Sequence, residues 1–205
     1  MAQITNGIRA MLSHPSIYNS LQSIMGAQRA RQEFVREFVR PANGLRVLDI
    51  GCGTAELLGY LPDDVTYVGY DPSESYIAHA RLRFGDRGEF HCGFFDLNEA
   101  RHHLPFDVVI ASGVLHHMDN IQAKEMMTLA SNSLRHGGRL VTIDPVLCSG
   151  QNVVARFLIR MDRGQNVRDE NGYKALAKTS FTEINGTVRH RSWIPYTHFI
   201  MECWK

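Results

Sequence analysis

The sequence predicts an α/β domain built on a mostly parallel β-sheet, and three features support this prediction. Short apolar segments alternate with helical ones between residues 45 and 145, which is the pattern of successive βαβ units. Apolar residues make up 44% of the chain and charged residues 21%, as in ordinary globular proteins. A length of 205 residues suits one domain with a full core.

The predicted elements follow in order along the chain. Helical spacing of apolar residues in IYNSLQSIMGAQRARQEFVREFV predicts an N-terminal helical extension, residues 1–43, whose helix ends before Pro41. The predicted strands of the next part, residues 44–145, are RVLDI, VTYVGYD, EFHCGFFD, FDVVIAS and GRLVTIDP, and its predicted helices are TAELLGYL, SESYIAHARLRF and AKEMMTLASNSL. The last of these helices is expected to stop at His136-Gly137-Gly138, because glycine ends helices.

The remaining part of the chain, residues 146–205, has a different pattern. NVVARFLIRM and YKALAKTS are predicted helices, and FTEINGTVRHRSWI and YTHFIMECWK are predicted strands with few residues between them. A parallel pair needs a crossover of a dozen or more residues. We therefore predict that the last strand is antiparallel, and that all three parts form a single domain of residues 1–205.

Charge and cysteine spacing exclude several classes of function. The net charge is +1, so the chain has no general attraction for nucleic acid. The four cysteines form no CxxC pair, which argues against a structural zinc site. The segment MAQITNGIRAMLSH lacks the apolar core of a signal peptide, and no apolar run has membrane-spanning length. We expect a cytoplasmic protein that binds neither nucleic acid nor membranes.

Polar residues follow each predicted strand of the parallel part. In an open parallel sheet, ligands bind outside the carboxyl ends of the strands, so these residues are expected to share one binding edge. In chain order they are Asp49, Asp71, Asp96, Ser112 with Gly113, and Asp144.

The turn after the first strand has the composition of a nucleotide-binding turn. Gly51 and Gly53 let main-chain N–H groups approach a ligand closely. A dinucleotide fingerprint needs a third glycine where the chain has Glu56, whose charge disfavours the pyrophosphate of NAD. Asp71 lies about 20 residues further on, where an acid accepts hydrogen bonds from ribose hydroxyls. A ligand with a ribose and a cationic centre fits this pattern, whereas a packed turn without a ligand leaves the other acids unexplained.

Taken in order, VLDIGCGTAELL, YVGYDPSESYIAHAR, the segment around Asp96, FDVVIASGVLHHMDN and LRHGGRLVTIDP resemble the motifs of class I S-adenosylmethionine-dependent methyltransferases. The resemblance implies a Rossmann-like, seven-stranded sheet with one antiparallel strand. It also implies S-adenosyl-L-methionine as the cofactor. The cofactor-binding residues implied are Asp49, Gly51, Cys52, Gly53, Asp71, Pro72, Phe95, Asp96, Ser112 and Gly113.

One position departs from the family pattern. The family often has a third glycine where this chain has Ala55. Alanine adds only a methyl group and favours a helix, so we expect binding to survive.

Two histidines and an acid are the predicted catalytic residues. His116 and His117 follow the fourth strand, and histidine is the usual general base near neutral pH. Asp144 ends the neighbouring strand and is predicted to orient one of the imidazoles. Packing or capping by the histidines is the alternative. Asp119 is expected to cap the next helix, and Asp107 to have a structural role.

Arginines in the last part suggest where an acceptor binds. Arg156, Arg160 and Arg163 recur at helical spacing and Arg168 follows; guanidinium groups bind carboxylate and phosphate. We predict that Arg160, Arg163, Arg168 and Tyr196 contact a small acceptor, which this pattern suggests is anionic. A solvated basic face explains the same spacing.

The N-terminal helix is a candidate lid that excludes water from the site, with Tyr18 among the cofactor contacts, although simple docking on the sheet explains its pattern equally well. Together these features predict an enzyme that methylates a small molecule, at oxygen, with a histidine base. Methylation at nitrogen or carbon, protein methylation and a non-catalytic S-adenosylmethionine-binding module are the alternatives. No metal ligand set is evident in the sequence.

Overall fold

A seven-stranded sheet forms the centre of the computed structural model, which describes residues 27–103, 105–161, 164–191 and 196–205. The spatial order of the strands is β3-β2-β1-β4-β5-β7-β6. Strands β1 to β5 are parallel, and β7 is antiparallel to both of its neighbours. The strands are β1 Arg46–Ile50, β2 Thr66–Asp71, β3 Glu89–Cys92, β4 Phe106–Ser112, β5 Leu134–Pro145, β6 Glu183–Arg191 and β7 Tyr196–Trp204.

This topology confirms the predicted Rossmann-like fold and the antiparallel last strand. The α-helices of the described residues are α1 Ala27–Phe34, α2 Glu74–Phe84, α3 Leu97–His103, α4 Asn120–Ser133, α5 Val153–Arg160 and α6 Glu170–Ala177. A π-helical turn, Val35–Val39, extends α1, and Arg40 caps it just before Pro41. The division between residues 44–145 and 146–205 stays a prediction, as does the cytoplasmic location. Within the described ranges, no helix is long and apolar enough to cross a membrane.

Each face of the sheet packs against its own apolar cluster, because successive strand side chains point to opposite faces. On one face, Leu48 and Phe199 pack with Met127 of α4 and Tyr173 of α6. The other face carries a second cluster that includes α1 and α2, with Val47, Tyr67, Phe34 and Ile77 among its members. The sheet is therefore covered on both sides, and its carboxyl edge is left for a site.

The helix predicted for TAELLGYL is wrong in its extent. Only a 3₁₀ turn, Glu56–Tyr60, forms there, and Ala55 before it has φ 56° and ψ 34°. This left-handed conformation interrupts an α-helix and costs an L-residue about 1 kcal/mol. The expectation that Ala55 favours a helix is therefore also wrong, because the position suits the glycine that the family often has.

One further helix boundary and one whole helix differ from the predictions. α4 ends at Ser133, and His136-Gly137-Gly138 belongs to the irregular start of β5 instead. The pairing of β4 with β5 shifts register there, and Gly137 has φ 74°. The short helix α3 was not predicted at all, because LNEARHH lacks a regular apolar stripe.

The structural roles predicted for two acids are confirmed. The Asp119 carboxylate accepts hydrogen bonds from the N–H groups of Ile121 and Gln122, and Gln122 completes a capping box at the start of α4. Asp107 accepts a hydrogen bond of 2.7 Å from the main-chain N–H of Arg46 and also pairs with Arg135. Both acids thus fix local structure.

Candidate active site

The candidate site lies where the strand order of the sheet reverses, between β1 and β4. The chain leaves β1 towards β2 on one side, whereas β4 pairs with β1 on the other. Such a reversal opens a crevice at the carboxyl ends of the two central strands. The turn of residues 51–55 and the end of β4 at Ser112 border this crevice.

Gly51 shapes the turn after β1. The N–H groups of Gly51 and Cys52 both donate to the carbonyl of Tyr70, at 2.7 and 3.0 Å. Gly51 has φ 74°, and a Cβ on it would lie 2.5 Å from Cγ2 of Val114. Gly53 also has a positive φ, of 57°, but a Cβ there would meet nothing within 4 Å. Gly51 is thus required by packing, whereas Gly53 borders open space.

We expect Gly51→Ala to lower the free energy of unfolding by about 1–3 kcal/mol more than Gly53→Ala does. Both substitutions place an L-residue at positive φ, but only the first also creates a contact with Val114. Urea unfolding of both variants measures the difference. Adding Val114→Ala to each should shrink it, and equal destabilisation of the two single variants would contradict the packing argument.

Asp49 is a buried acid, and only one of its two carboxylate oxygens has a hydrogen-bond partner among the described residues. It is 1% exposed, and its Oδ2 accepts a hydrogen bond of 2.7 Å from the hydroxyl of Tyr67. Oδ1 is buried and has no hydrogen-bond partner in the described part of the chain. Burial raises the pKa of Asp49 to about 7, the Tyr67 hydrogen bond opposes the rise, and the charge of Asp71 adds to it. An oxygen in this state favours a donor from a ligand.

Asp71 connects the end of β2 to the glycine turn. Its Oδ2 accepts from the N–H of Gly53 at 3.0 Å, and its Oδ1 accepts from the N–H of Ser73 at 2.8 Å. Burial raises the pKa of Asp71, and these two hydrogen bonds oppose the rise. The structure thus brings Asp71 and Gly53 together, as the sequence predicted for the binding edge.

The residues after β3 have mainly structural contacts. Phe95 is buried and packs edge-on against Tyr70, with ring centroids 5.1 Å apart. Asp96 is exposed, and its Oδ1 accepts from the N–H groups of Asn98 and Glu99 at 2.7 and 3.0 Å. Asp96 therefore caps α3, and its contact with adenine stays a prediction.

Three other predicted cofactor residues lie on the edges of the crevice. Cys52 is half-buried, and burial is the main cause that raises the pKa of its thiol, so it is not a reactive thiolate. Pro72 is exposed after β2, and Ser112 is half-buried at the end of β4. These positions leave their cofactor contacts as predictions.

His116 and Asp144 form a buried pair. Nδ1 of His116 lies 2.7 Å from Oδ1 of Asp144, which also accepts the main-chain N–H of His116 at 3.1 Å. His116 is 5% exposed and Asp144 is fully buried. Burial raises the pKa of Asp144, and the hydrogen bond and charge of His116 oppose the rise. This contact holds the ring proton on Nδ1, so the lone pair is assigned to Nε2.

The ring of His116 is held between two glycines. A Cβ on Gly113 would lie 3.7 Å from Cε1 of the ring, and a Cβ on Gly164 would lie 2.0 Å from Cδ2. The ring edge that carries Nε2 therefore lies between the end of β4 and the segment after α5. His117 is half-buried, with its ring centroid 4.0 Å from that of His116.

The predicted acceptor residues within the described part of the chain, Arg160, Arg168 and Tyr196, lie on different elements. Arg160 is exposed at the end of α5, and Tyr196 lies at the start of β7 with its ring 4.9 Å from His198. Arg163 and Tyr18 lie outside the described residues. Arg168 donates to the carbonyls of Leu115, Asn166 and Met118 and to the side chain of Asn120. These bonds give Arg168 a structural role, and its contact with an acceptor stays a prediction.

Sequence reasoning missed Tyr67 and Gly164. The hydroxyl of Tyr67 reaches Asp49 from the neighbouring strand, and Gly164 packs against the His116 ring. Neither residue has a sequence signal, because both contacts depend on tertiary packing. No cluster of three or more His, Cys, Asp and Glu side chains suited to a metal ion occurs among residues 27–103, 105–161, 164–191 and 196–205.

Comparison with known proteins gives consistent similarities. A family described as "Methyltransferase domain" matches residues 48–140. O-methyltransferase cnsE of Penicillium expansum is 30% identical over 182 residues, which cover 78% of this chain and 62% of that protein. The chain therefore spans less than two thirds of the length of this relative.

Solved structures show the same fold at low sequence identity. Magnesium protoporphyrin IX methyltransferase of Synechocystis PCC 6803, with bound SAH, has a TM-score of 0.66 at 20% identity, covering 88% of this chain and 84% of that one. A phosphoethanolamine N-methyltransferase of Haemonchus contortus, in complex with phosphomonomethylethanolamine and S-adenosylhomocysteine, has a TM-score of 0.72 at 14% identity. That match covers 96% of this chain and 58% of the other.

Proposed function

We infer from these similarities that the chain is a class I S-adenosylmethionine-dependent methyltransferase, and from this premise we propose that it transfers a methyl group to an oxygen of a small molecule. The observation that carries the proposal is the buried His116–Asp144 pair, with Nδ1 and Oδ1 2.7 Å apart, at the end of β4. A hydroxyl acceptor has a proton to lose, and this pair is a base held by an acid. Similarity to an O-methyltransferase supports the same assignment.

The residues of the crevice fit S-adenosylmethionine. Oδ1 of Asp49 is buried without a donor among the described residues, and Gly53 borders open space. The Asp71 carboxylate lies against the glycine turn. Asp49, Gly51, Gly53 and Asp71 would therefore hold the cofactor. When bound, the cofactor supplies a methyl group on a sulfonium, which is already activated towards a nucleophile.

The His116–Asp144 pair provides for removal of the acceptor's hydroxyl proton. With its own ring proton on Nδ1, His116 accepts the proton of the acceptor hydroxyl at Nε2. Asp144 then stabilises the imidazolium through the existing contact at Oδ1. The bond between Asp144 and the N–H of His116 keeps the ring in this orientation. The protein therefore contributes alignment and proton removal, which are the tasks that methyl transfer leaves to it.

Cofactor choice is tested by calorimetric titration. We expect S-adenosylmethionine to bind and NAD not to bind, because Glu56 stands where a dinucleotide turn needs a glycine. Asp71→Ala should weaken S-adenosylmethionine binding by about tenfold or more, since it removes a charged acceptor. The exposed Asp86→Ala is the matched control and should change nothing. A folded wild type that binds NAD, or no cofactor, would contradict the proposal.

Methyl transfer is tested with tritiated methyl donor and pairs of phenols that differ by one carboxylate, such as catechol and protocatechuate. Mass spectrometry of the product identifies an added methyl group and its position. Faster turnover of the carboxylated member supports the anionic acceptor that the arginine pattern suggested. Tight binding of the donor with no transfer to phenols, amines or carbon acids favours the non-catalytic alternative.

A further inference from the structure

Residues 164–168, which precede α6, are attached to the histidine turn, which we define as residues 115–118. We propose that Arg168 is a positioning residue that sets the placement of His116 in the proposed methyl transfer, on which this inference rests. It acts through other groups and does not contact the reacting atoms.

The guanidinium of Arg168 spans the histidine turn. Its Nη1 donates to the carbonyl of Leu115 at 2.9 Å, and its Nη2 donates to the carbonyl of Met118 at 2.8 Å. Its Nε donates to Oδ1 of Asn120, the first residue of α4, at 3.0 Å. The bonded groups therefore lie on both sides of His116. Only the rigid fork of arginine offers donors in this arrangement.

The main chain of Arg168 is attached to the other member of the catalytic pair. Its carbonyl accepts the N–H of Leu147 at 3.2 Å, and it forms a parallel bridge with Val146. Both of these residues follow Asp144 closely in sequence. The guanidinium also lies 5.8 Å from the ring of Tyr173, whose hydroxyl donates to the carbonyl of Pro145 at 2.8 Å. One residue thus connects the turn that carries His116 to the strand end that carries Asp144.

The residues just before Arg168 complete this attachment. The N–H of Asn166 donates to the carbonyl of His116 at 3.0 Å. A Cβ on Gly164 would lie 2.8 Å from the same carbonyl and 2.0 Å from the ring. The segment is therefore packed on the histidine itself.

Proton transfer is sensitive to such placement, and a displacement of about 1 Å can cost 100-fold in rate. We expect Arg168→Gln to lower kcat by about 10- to 100-fold, with catechol or the fastest phenol of the panel as acceptor. The KM for S-adenosylmethionine should stay within about twofold, because the glycine turn does not contact Arg168. Arg168→Lys, which keeps the charge and one or two donors, should retain an intermediate kcat.

Arg87→Gln is the matched control. Arg87 is also half-buried, and it donates to the carbonyls of Leu61, Pro62 and Asp63 at distances of 2.9 to 3.3 Å. That loop precedes β2 and so lies at the amino ends of the parallel strands, whereas His116 lies at their carboxyl ends. Arg87→Gln should therefore lower stability to a similar degree and leave kcat unchanged. Equal losses of kcat in the two variants would overturn the positioning role.

A readout without turnover separates this inference from the proposed function. The Nδ1 proton of His116, identified by its loss in His116→Asn, should give a downfield NMR signal that shifts or broadens in Arg168→Gln. If the wild type methylates nothing, the proposed function fails, and a change in this signal still supports positioning. An unchanged signal together with wild-type kcat overturns it.

Discussion

Replacing His116 by asparagine is expected to lower kcat for transfer to a hydroxyl by about 100-fold or more. The asparagine amide keeps a donor near the position of Nδ1, so Asp144 retains a partner. The basic nitrogen Nε2 is lost. Binding of S-adenosylmethionine should change by less than about threefold, because the crevice beside β1 is untouched. Single-turnover rates at saturating donor, together with calorimetry, measure the two effects separately.

His117→Asn is the comparison for this result. His117 is half-buried and its ring lies tilted against that of His116, but the carboxylate of Asp144 contacts His116. We expect the loss at His117 to stay below about tenfold. A larger loss of kcat in His117→Asn than in His116→Asn would indicate that His117 is the base. Combining His116→Asn with Asp144→Asn should cost no more than the worse single change, because the two residues act as one unit.

Asp49→Asn is expected to stabilise the folded protein at pH 8 while weakening its hold on S-adenosylmethionine. Burial raises the pKa of Asp49 from 3.8 to about 7. Between these values the folded state keeps a proton that the unfolded state has lost. Stability from this group is therefore complete below about pH 4 and is lost as the pH rises through about 7. The loss amounts to at most about 4 kcal/mol.

Urea unfolding of wild type and Asp49→Asn at pH 5, 6, 7 and 8 tests the sign. The difference between the two proteins should grow in favour of the variant across this range. Asp86→Asn, a change at an exposed acid, is the matched control. If the Asp49→Asn variant is more stable but binds S-adenosylmethionine more weakly, Asp49 lowers stability in the folded protein and contributes to cofactor binding. A wild type that gains stability relative to the variant as the pH rises would contradict the argument.

Much of the sheet could be predicted because buried parallel strands appear as short apolar runs, as in RVLDI and FDVVIAS. The pairing of His116 with Asp144 was also predictable, since parallel strands β4 and β5 end at one edge. These inferences need only local pattern and topology. They do not depend on the course of any loop.

The remainder depends on contacts between distant residues. Ala55 carries no mark of its left-handed conformation, which the turn packed against Val114 and Tyr70 imposes. The spacing of Arg168 with other arginines suggested a basic face, whereas its donors reach carbonyls about fifty residues earlier in the chain. Likewise, the sequence of α3 has no strong helical signal. The helix forms because Asp96 caps its first turn and because it packs on the rest of the domain.

The strand order also indicates where other extended chains could pair with the sheet. Among the strands of the described residues, β7 is enclosed between β5 and β6, which leaves β3 and β6 at the two edges of the sheet. β3 has only four residues, whereas β6 has nine, and a long unpaired edge is a template for another extended chain. Charged side chains such as Glu183 and Arg189 oppose such pairing along β6. Salt screens those charges, so we expect any pairing of copies through this edge to increase with ionic strength.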